Sequence, residues 1–170
     1  GTPSMLEAGD VSRILKTLRL TFCIASDAEI TIEANPDSLD YDKAAALADC
    51  GVNRLSLGVQ SFSDAMLAFL GRVHTAAQGE AAIQAAYAAG IHNLSLDLMY
   101  GLPGQRLADV RRDVERLSQL PVVHASIYSL IVEDGTQLKA GLEKGTWHLP
   151  PDGTVEAMGN AVHDAMHGYG

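Results

Sequence analysis

Three apolar stretches of this chain each end on one polar side chain, and each is followed by a turn and a helix-like segment. Ile30-Thr31-Ile32 leads to Glu33, Leu55-Ser56-Leu57-Gly58-Val59 to Gln60, and Leu94-Ser95-Leu96 to Asp97. A parallel α/β barrel assembles a site in this way: its strands deliver side chains to one rim, and the rim does the chemistry. Three different hydrogen-bonding groups on one rim fit a polar small-molecule ligand.

The spacing of apolar residues switches repeatedly between the strand and helix periods. Strands are predicted near residues 29–34, 54–60, 93–99 and 125–132. A helix over 11–22 places Ile14, Leu15, Leu18 and Phe22 on one face, with Asp10 as its N-cap. Asp40 caps a helix over 41–49 that ends at Cys50-Gly51, a common C-terminal signal. Ser63 caps a short helix through Leu70, and Thr75 caps an Ala-rich helix over 76–89. Residues 107–120 are helical up to Pro121. A loop and short helix over 135–145 and a linker at 147–151 precede a last helix over 152–167. That helix turns Val155, Met158, Ala161, Val162 and Met166 inward. The expected fold class is therefore α/β, a parallel partial barrel with helices outside. The chain opens on a helix with no strand before it, so an unpaired left edge and a larger parent domain are expected.

With 170 residues, 47% of them hydrophobic, the chain has enough material for one domain. A domain of this size buries roughly 70% of its unfolded surface. A formal charge of −9 and a pI near 4.9 argue against nucleic acid or an anionic membrane as partner. No apolar run approaches the roughly 20 residues that span a bilayer. Gly1-Thr2-Pro3-Ser4-Met5 carries no secretory pattern, so a cytoplasmic location is expected. Cys23 and Cys50 lie far apart with no cluster-binding spacing, and read as small buried hydrophobes in a reducing compartment.

Each candidate side chain has two readings. Glu33 can accept hydrogen bonds from a ribose diol or an amine, or cap the turn at Asn35-Pro36 or pair with an Arg. Gln60 offers a donor and an acceptor to an adenosine-like ligand, or is a loop amide; Gly58 before it permits close approach. Arg72 suits a carboxylate, or is a solvated cation. His74 reads as structural, with a general-base role as the alternative. Asp97 interrupts an apolar strand and needs a partner there; by alternation it shares a face with Ser95 and Met99. His163 and His167 are four apart on the last helix, a metal pair or an exposed face. No catalytic residue and no metal ligand is assigned.

Five ordered segments carry a resemblance. They are Gly1-Thr2-Pro3-Ser4, Glu29 to Pro36, Asn53 to Phe62, Gly71-Arg72-Val73-His74 and Asp97 to Gln105. The chain resembles the radical S-adenosylmethionine proteins of the oxygen-independent coproporphyrinogen III oxidase family, over nearly its whole length. Ser61-Phe62, the segment Leu70 to His74 and the segment Tyr128 to Thr136 are closer to the oxidase-like branch regarded as haem chaperones than to the true oxidases.

The resemblance implies a six-stranded partial barrel, of which residues 1–170 hold four strands. It implies S-adenosylmethionine and a [4Fe–4S] cluster held by three cysteines, with an electron donor, and porphyrinogen or haem as the molecule handled. Cofactor cleavage would yield methionine and a 5′-deoxyadenosyl radical. By motif, Gly1 and Thr2 match the loop at the methionine amino end. Glu33, Gln60, Arg72 and Asp97 match contacts to S-adenosylmethionine, and Ile131 a contact to its adenine. The family's Cys-x3-Cys-x2-Cys loop is expected upstream of Gly1 and its carboxy-terminal domain downstream. Neither is in the sequence, and Cys23 and Cys50 do not replace the loop. The expectation is a fragment without radical chemistry of its own. Its alternatives are a true decarboxylase and a cluster-free barrel remnant that binds an adenosyl ligand or a partner chain.

Overall fold

The structure, a computed structural model, describes residues 2–169. Helix α1 (Ala8–Thr21) leads to strand β1 (Thr31–Ala34), and α2 (Tyr41–Asp49) crosses to β2 (Arg54–Gln60). Helices α3 (Asp64–Phe69) and α4 (Ala76–Ala88) cross to β3 (Asn93–Tyr100). Helix α5 (Leu107–Leu117) crosses to β4 (His124–Ser129), and α6 (Gln137–Glu143) and α7 (Asp152–Tyr169) follow. The four strands form one sheet in the order β1-β2-β3-β4, each pair parallel. The βα succession read from the sequence is thus the observed architecture.

The register divides the sheet into two unlike faces. Side chains alternate across a strand, and parallel neighbours in register point the same way. Glu33 pairs with Ser56, Ser56 with Ser95, and Ser95 with His124. Asp97 pairs with Ser126 and Met99 with Tyr128, so one face is polar from edge to edge. The buried Ser95 hydroxyl lies 2.8 Å from His124 Nδ1. The opposite face carries Leu55, Leu57, Val59, Leu94, Leu96 and Leu98, all buried against Leu47 of α2 and Ile83 and Ala86 of α4. Each such side chain contributes about 1.5–3 kcal/mol on full burial. Helix α4 comes this near because Gly79 has no side chain; a Cβ there would meet Val59 Cγ1 at 3.2 Å. Helix α7 buries Met158 against Val110 and Val114 of α5.

Several boundaries differ from the sequence reading. Asp10 is not the N-cap of α1. The Glu7 carbonyl accepts from the amides of Asp10 and Val11, so the helix starts at Ala8. Asp10 then sits in the first turn, where the helix dipole favours an acid, 2.5 Å from Arg13. Ile14, Leu18 and Phe22 of the expected apolar face are exposed, while Val11 and Leu15 pack on the core. Asp40 accepts from the Lys43 amide and Thr75 forms a capping box with Gln78, as expected, but the Ser63 side chain caps nothing. Strand β1 begins only at Thr31, because the Ile30 amide donates to the Asn53 side chain. Strand β4 stops at Ser129 because its neighbour ends at Tyr100, where Gly101 (φ +79°) turns the chain away. Cys23 is exposed, not buried, since it follows the extended end of α1 into solvent. Cys50 is half-buried, its thiol 3.3 Å from the Ala8 carbonyl oxygen.

Candidate functional site

The C-terminal strand ends supply a rim of unlike groups, as read from the sequence. A cavity of about 260 Å³ opens there, lined by Thr2, Glu33, Ala34, Asn35, Ser56, Gly58, Gln60, Arg72 and Asp97. Five of the side chains singled out in the sequence meet in this one place. Gly1 lies outside the described residues. Ile131 lies beyond the end of β4, 74% exposed and outside the cavity lining.

Local backbone chemistry aims each group. In β2 the register with β3 passes from Leu57–Leu96 to Gln60–Leu98, so β2 carries one extra residue. The bulge ends in Gln60, whose φ of +72° makes it the one non-glycine residue in the left-handed region among the described residues. Its side chain is buried, 4% exposed, under the rim. Gly58 leaves room for it: a Cβ at 58 would lie 3.0 Å from Gln60 Nε2 and 3.5 Å from Asn35 Oδ1. Arg72 stands between α3 and α4. Its Nη1 donates to Asn35 Oδ1 at 3.4 Å, and Asn35 Nδ2 donates to Thr2 Oγ1 at 3.2 Å. A guanidinium has five N–H donors, so Arg72 keeps most of its fork for a ligand.

Asp97 is half-buried. Burial pushes its carboxyl above the ordinary value; the Ser126 hydroxyl opposes this, and the like charge of Glu33 adds to the rise. Two carboxylates on one polar face therefore await a cationic or hydroxyl-rich ligand. Tyr128, which the sequence reading passed over as a site residue, reaches from β4 and donates to Gln60 Oε1 at 2.9 Å. Its phenol is pushed above its usual value by burial first and by Asp97 second, so it stays neutral and donating. Asn35, read only as part of a turn, joins Arg72 to Thr2. Period two along β4 puts Tyr128 with Ser126 and His124, a signal that pointed to the polar face.

His74 is buried, its Nε2 3.2 Å from the Val59 carbonyl oxygen, which makes it structural. His163 and His167 are exposed, and His167 Nδ1 lies against the His163 carbonyl. No group of three His, Cys, Asp or Glu placed to hold a metal occurs among the described residues. No helix among them is long and apolar enough to cross a membrane.

A parallel sheet with a polar rim at its C-terminal strand ends defines a barrel-type binding fold. Residues 1–117 match the model of the Radical SAM superfamily. The chain belongs to that superfamily. It is 38% identical over 171 residues to a heme chaperone HemW of Lactococcus lactis, aligning 99% of this chain and 45% of that protein. It is also 38% identical to HemW of Bacillus subtilis, over 100% of this chain and 45% of the relative. The structure superposes on coproporphyrinogen III oxidase (HemN) from Escherichia coli with a TM-score of 0.85 at 26% identity. That match covers 100% of this chain and 39% of the oxidase. The chain thus spans less than half the length of these relatives.

The family implies S-adenosylmethionine and a [4Fe–4S] cluster. The donor set of the cavity fits the first: a guanidinium for a carboxylate, two carboxylates for cationic or hydroxyl groups, and an amide. The residues present do not fit the second. Cys23 and Cys50 lie outside the cavity lining, on the α1–β1 connection and at the end of α2.

Proposed function

We propose that the cavity at the strand ends binds S-adenosylmethionine, and that the chain is the partial barrel of a haem-handling protein of the chaperone branch. The convergence of Thr2, Glu33, Gln60, Arg72 and Asp97 on one small cavity carries this reading. Arg72 takes the methionine carboxylate, with Asn35 holding its guanidinium plane. Glu33 and Asp97 take the ammonium, the sulfonium or the ribose hydroxyls. Gln60 hydrogen-bonds the nucleoside, and Ile131, exposed past β4, offers an apolar contact to the adenine. Thr2 meets the amino end. Held by these residues, S-adenosylmethionine would supply the radical chemistry of the superfamily once a cluster were in place. This chain's own residues bind and orient it; the cluster ligands and the porphyrin contacts belong to other parts of the parent protein, and the electron donor is a separate partner.

The 38% identity to HemW, against 26% to the oxidase, favours haem chaperoning over decarboxylation. The test incubates the intact protein with coproporphyrinogen III, S-adenosylmethionine and a reductant, and separately with haemin. A Soret shift with haemin and no vinyl product is expected. Vinyl product would overturn the chaperone assignment and favour the oxidase.

A further inference from the structure

The turn that aims Gln60 is strained and is gripped from two sides by groups that touch no ligand. The Ser61 amide donates to the Val59 carbonyl at 3.0 Å, closing a turn around Gln60 at φ +72°. A one-residue turn with positive φ is the rare, strained form of the γ-turn, and it persists only where its surroundings over-determine it. Two buried polar side chains supply that here.

The first is His74. Its Nε2 lies 3.2 Å from the same Val59 oxygen that takes the Ser61 amide, and its ring is 3% exposed. His74 stands two residues after Arg72, so this one bond ties the Arg72 loop to the Gln60 turn. The second is Asp113 of α5, 6% exposed. Ser61 Oγ donates to its Oδ2 at 2.8 Å, and the Phe62 amide donates to its Oδ1 at 3.2 Å. The Ser61 hydroxyl in turn accepts from the Ser63 amide at 3.1 Å, fixing the entry to α3. Burying a carboxylate is costly unless its oxygens are satisfied. Both oxygens of Asp113 are spent on the two residues that follow Gln60. An apolar residue could fill the space but could not hold those donors.

We propose that His74 and Asp113 are positioning residues: together they clamp the strained turn at Gln60, and so set both Gln60 and Arg72 for the ligand. The proposal rests on the cavity being the S-adenosylmethionine site. The clamp itself also has a readout that needs no ligand.

The experiment uses the intact protein and four variants, Asp113→Ala, Asp113→Asn, His74→Ala and His74→Gln. It measures S-adenosylmethionine affinity by calorimetry and, without ligand, hydrogen exchange at the Ser61 amide. Asn keeps an acceptor for Phe62 and a partner for Ser61, and Gln keeps a donor near the position of His Nε2. The alanine variants are expected to bind about tenfold more weakly, the loss of one or two hydrogen bonds, and the conservative variants within about threefold of the parent. Exchange at Ser61 is expected to quicken in the alanine variants alone. Folded alanine variants with parental affinity and parental exchange would overturn the proposal. So would equal losses in Asp113→Asn and Asp113→Ala. Where Asp113→Ala does not fold, Ser61→Ala removes one arm of the clamp and is read by the same two measurements. If the parent protein binds no S-adenosylmethionine, the reading of the cavity fails, while the exchange result still decides the clamp.

Discussion

The phenol of Tyr128 donates to Gln60 Oε1 across 68 residues of sequence, at 2.9 Å. That bond occupies the acceptor end of the amide and leaves the Nε2 hydrogens for a ligand. Tyr128 thus decides which end of Gln60 the cavity presents. Tyr128→Phe keeps the ring and frees the amide to rotate. S-adenosylmethionine affinity is expected to fall about three- to tenfold, the worth of one net hydrogen bond. Calorimetry checks this against thermal unfolding, which is expected to change little.

Gly58 gives the cavity its depth. A methyl group there would press on Gln60 Nε2 at 3.0 Å while making only ordinary contact with Asn35 Oδ1 at 3.5 Å. Gly58→Ala is therefore expected to displace the Gln60 side chain, weakening S-adenosylmethionine binding more than it lowers the melting temperature. Binding isotherms and melts of the same preparation separate the two effects.

Asp97 links binding to stability through pH. Burial first, and Glu33 after the opposing Ser126 hydroxyl, place its folded-state pKa above 3.8. A carboxyl raised on folding contributes stability below its unfolded pKa that is lost as pH rises through the folded one. Asp97→Asn is thus expected to stabilise the ligand-free protein at neutral pH, with the gain vanishing below pH 3.8. Affinity for the cationic ligand is expected to rise with pH in the parent and stay flat in the variant. Melts and isotherms across that range check both.

Asp109 behaves in the opposite sense. The Arg106 side chain, aided by its backbone amide and by Arg112, holds the Asp109 carboxyl down to about 2. A carboxyl lowered on folding stabilises above its unfolded pKa, and that stability is lost as pH falls through the folded one. The parent is expected to exceed Asp109→Asn in stability above pH 3.8, the gap closing as pH falls toward 2. Denaturant titrations at both ends of that range give the difference.

What the sequence could and could not disclose follows from the range of each interaction. The Asp40 and Thr75 caps rest on contacts between near neighbours, and β2 and β3 are apolar runs bounded by turn residues, so local pattern located them. The rim groups Glu33, Gln60 and Asp97 were legible because each breaks an apolar run at a strand end. Tyr128 was not, because its role depends on the β3–β4 register that sets it opposite Met99. Asp113 lies on a strongly amphipathic helix rich in charge, where an acid reads as solvent-facing; only the docking of α5 on the β2–α3 link reveals it as buried. The limits of β4 were missed because Gly101 ends the partner strand.

In the reading proposed above, Arg72 and Asp97 organise the strand-end cavity as an S-adenosylmethionine site. Calorimetric titration of S-adenosylmethionine into the intact protein, beside Arg72→Ala and Asp97→Ala, decides this. Losing a charge-assisted hydrogen bond costs about 1.5–3 kcal/mol, so each folded variant is expected to bind at least about tenfold more weakly. Equal binding by the parent and both variants would place the ligand elsewhere.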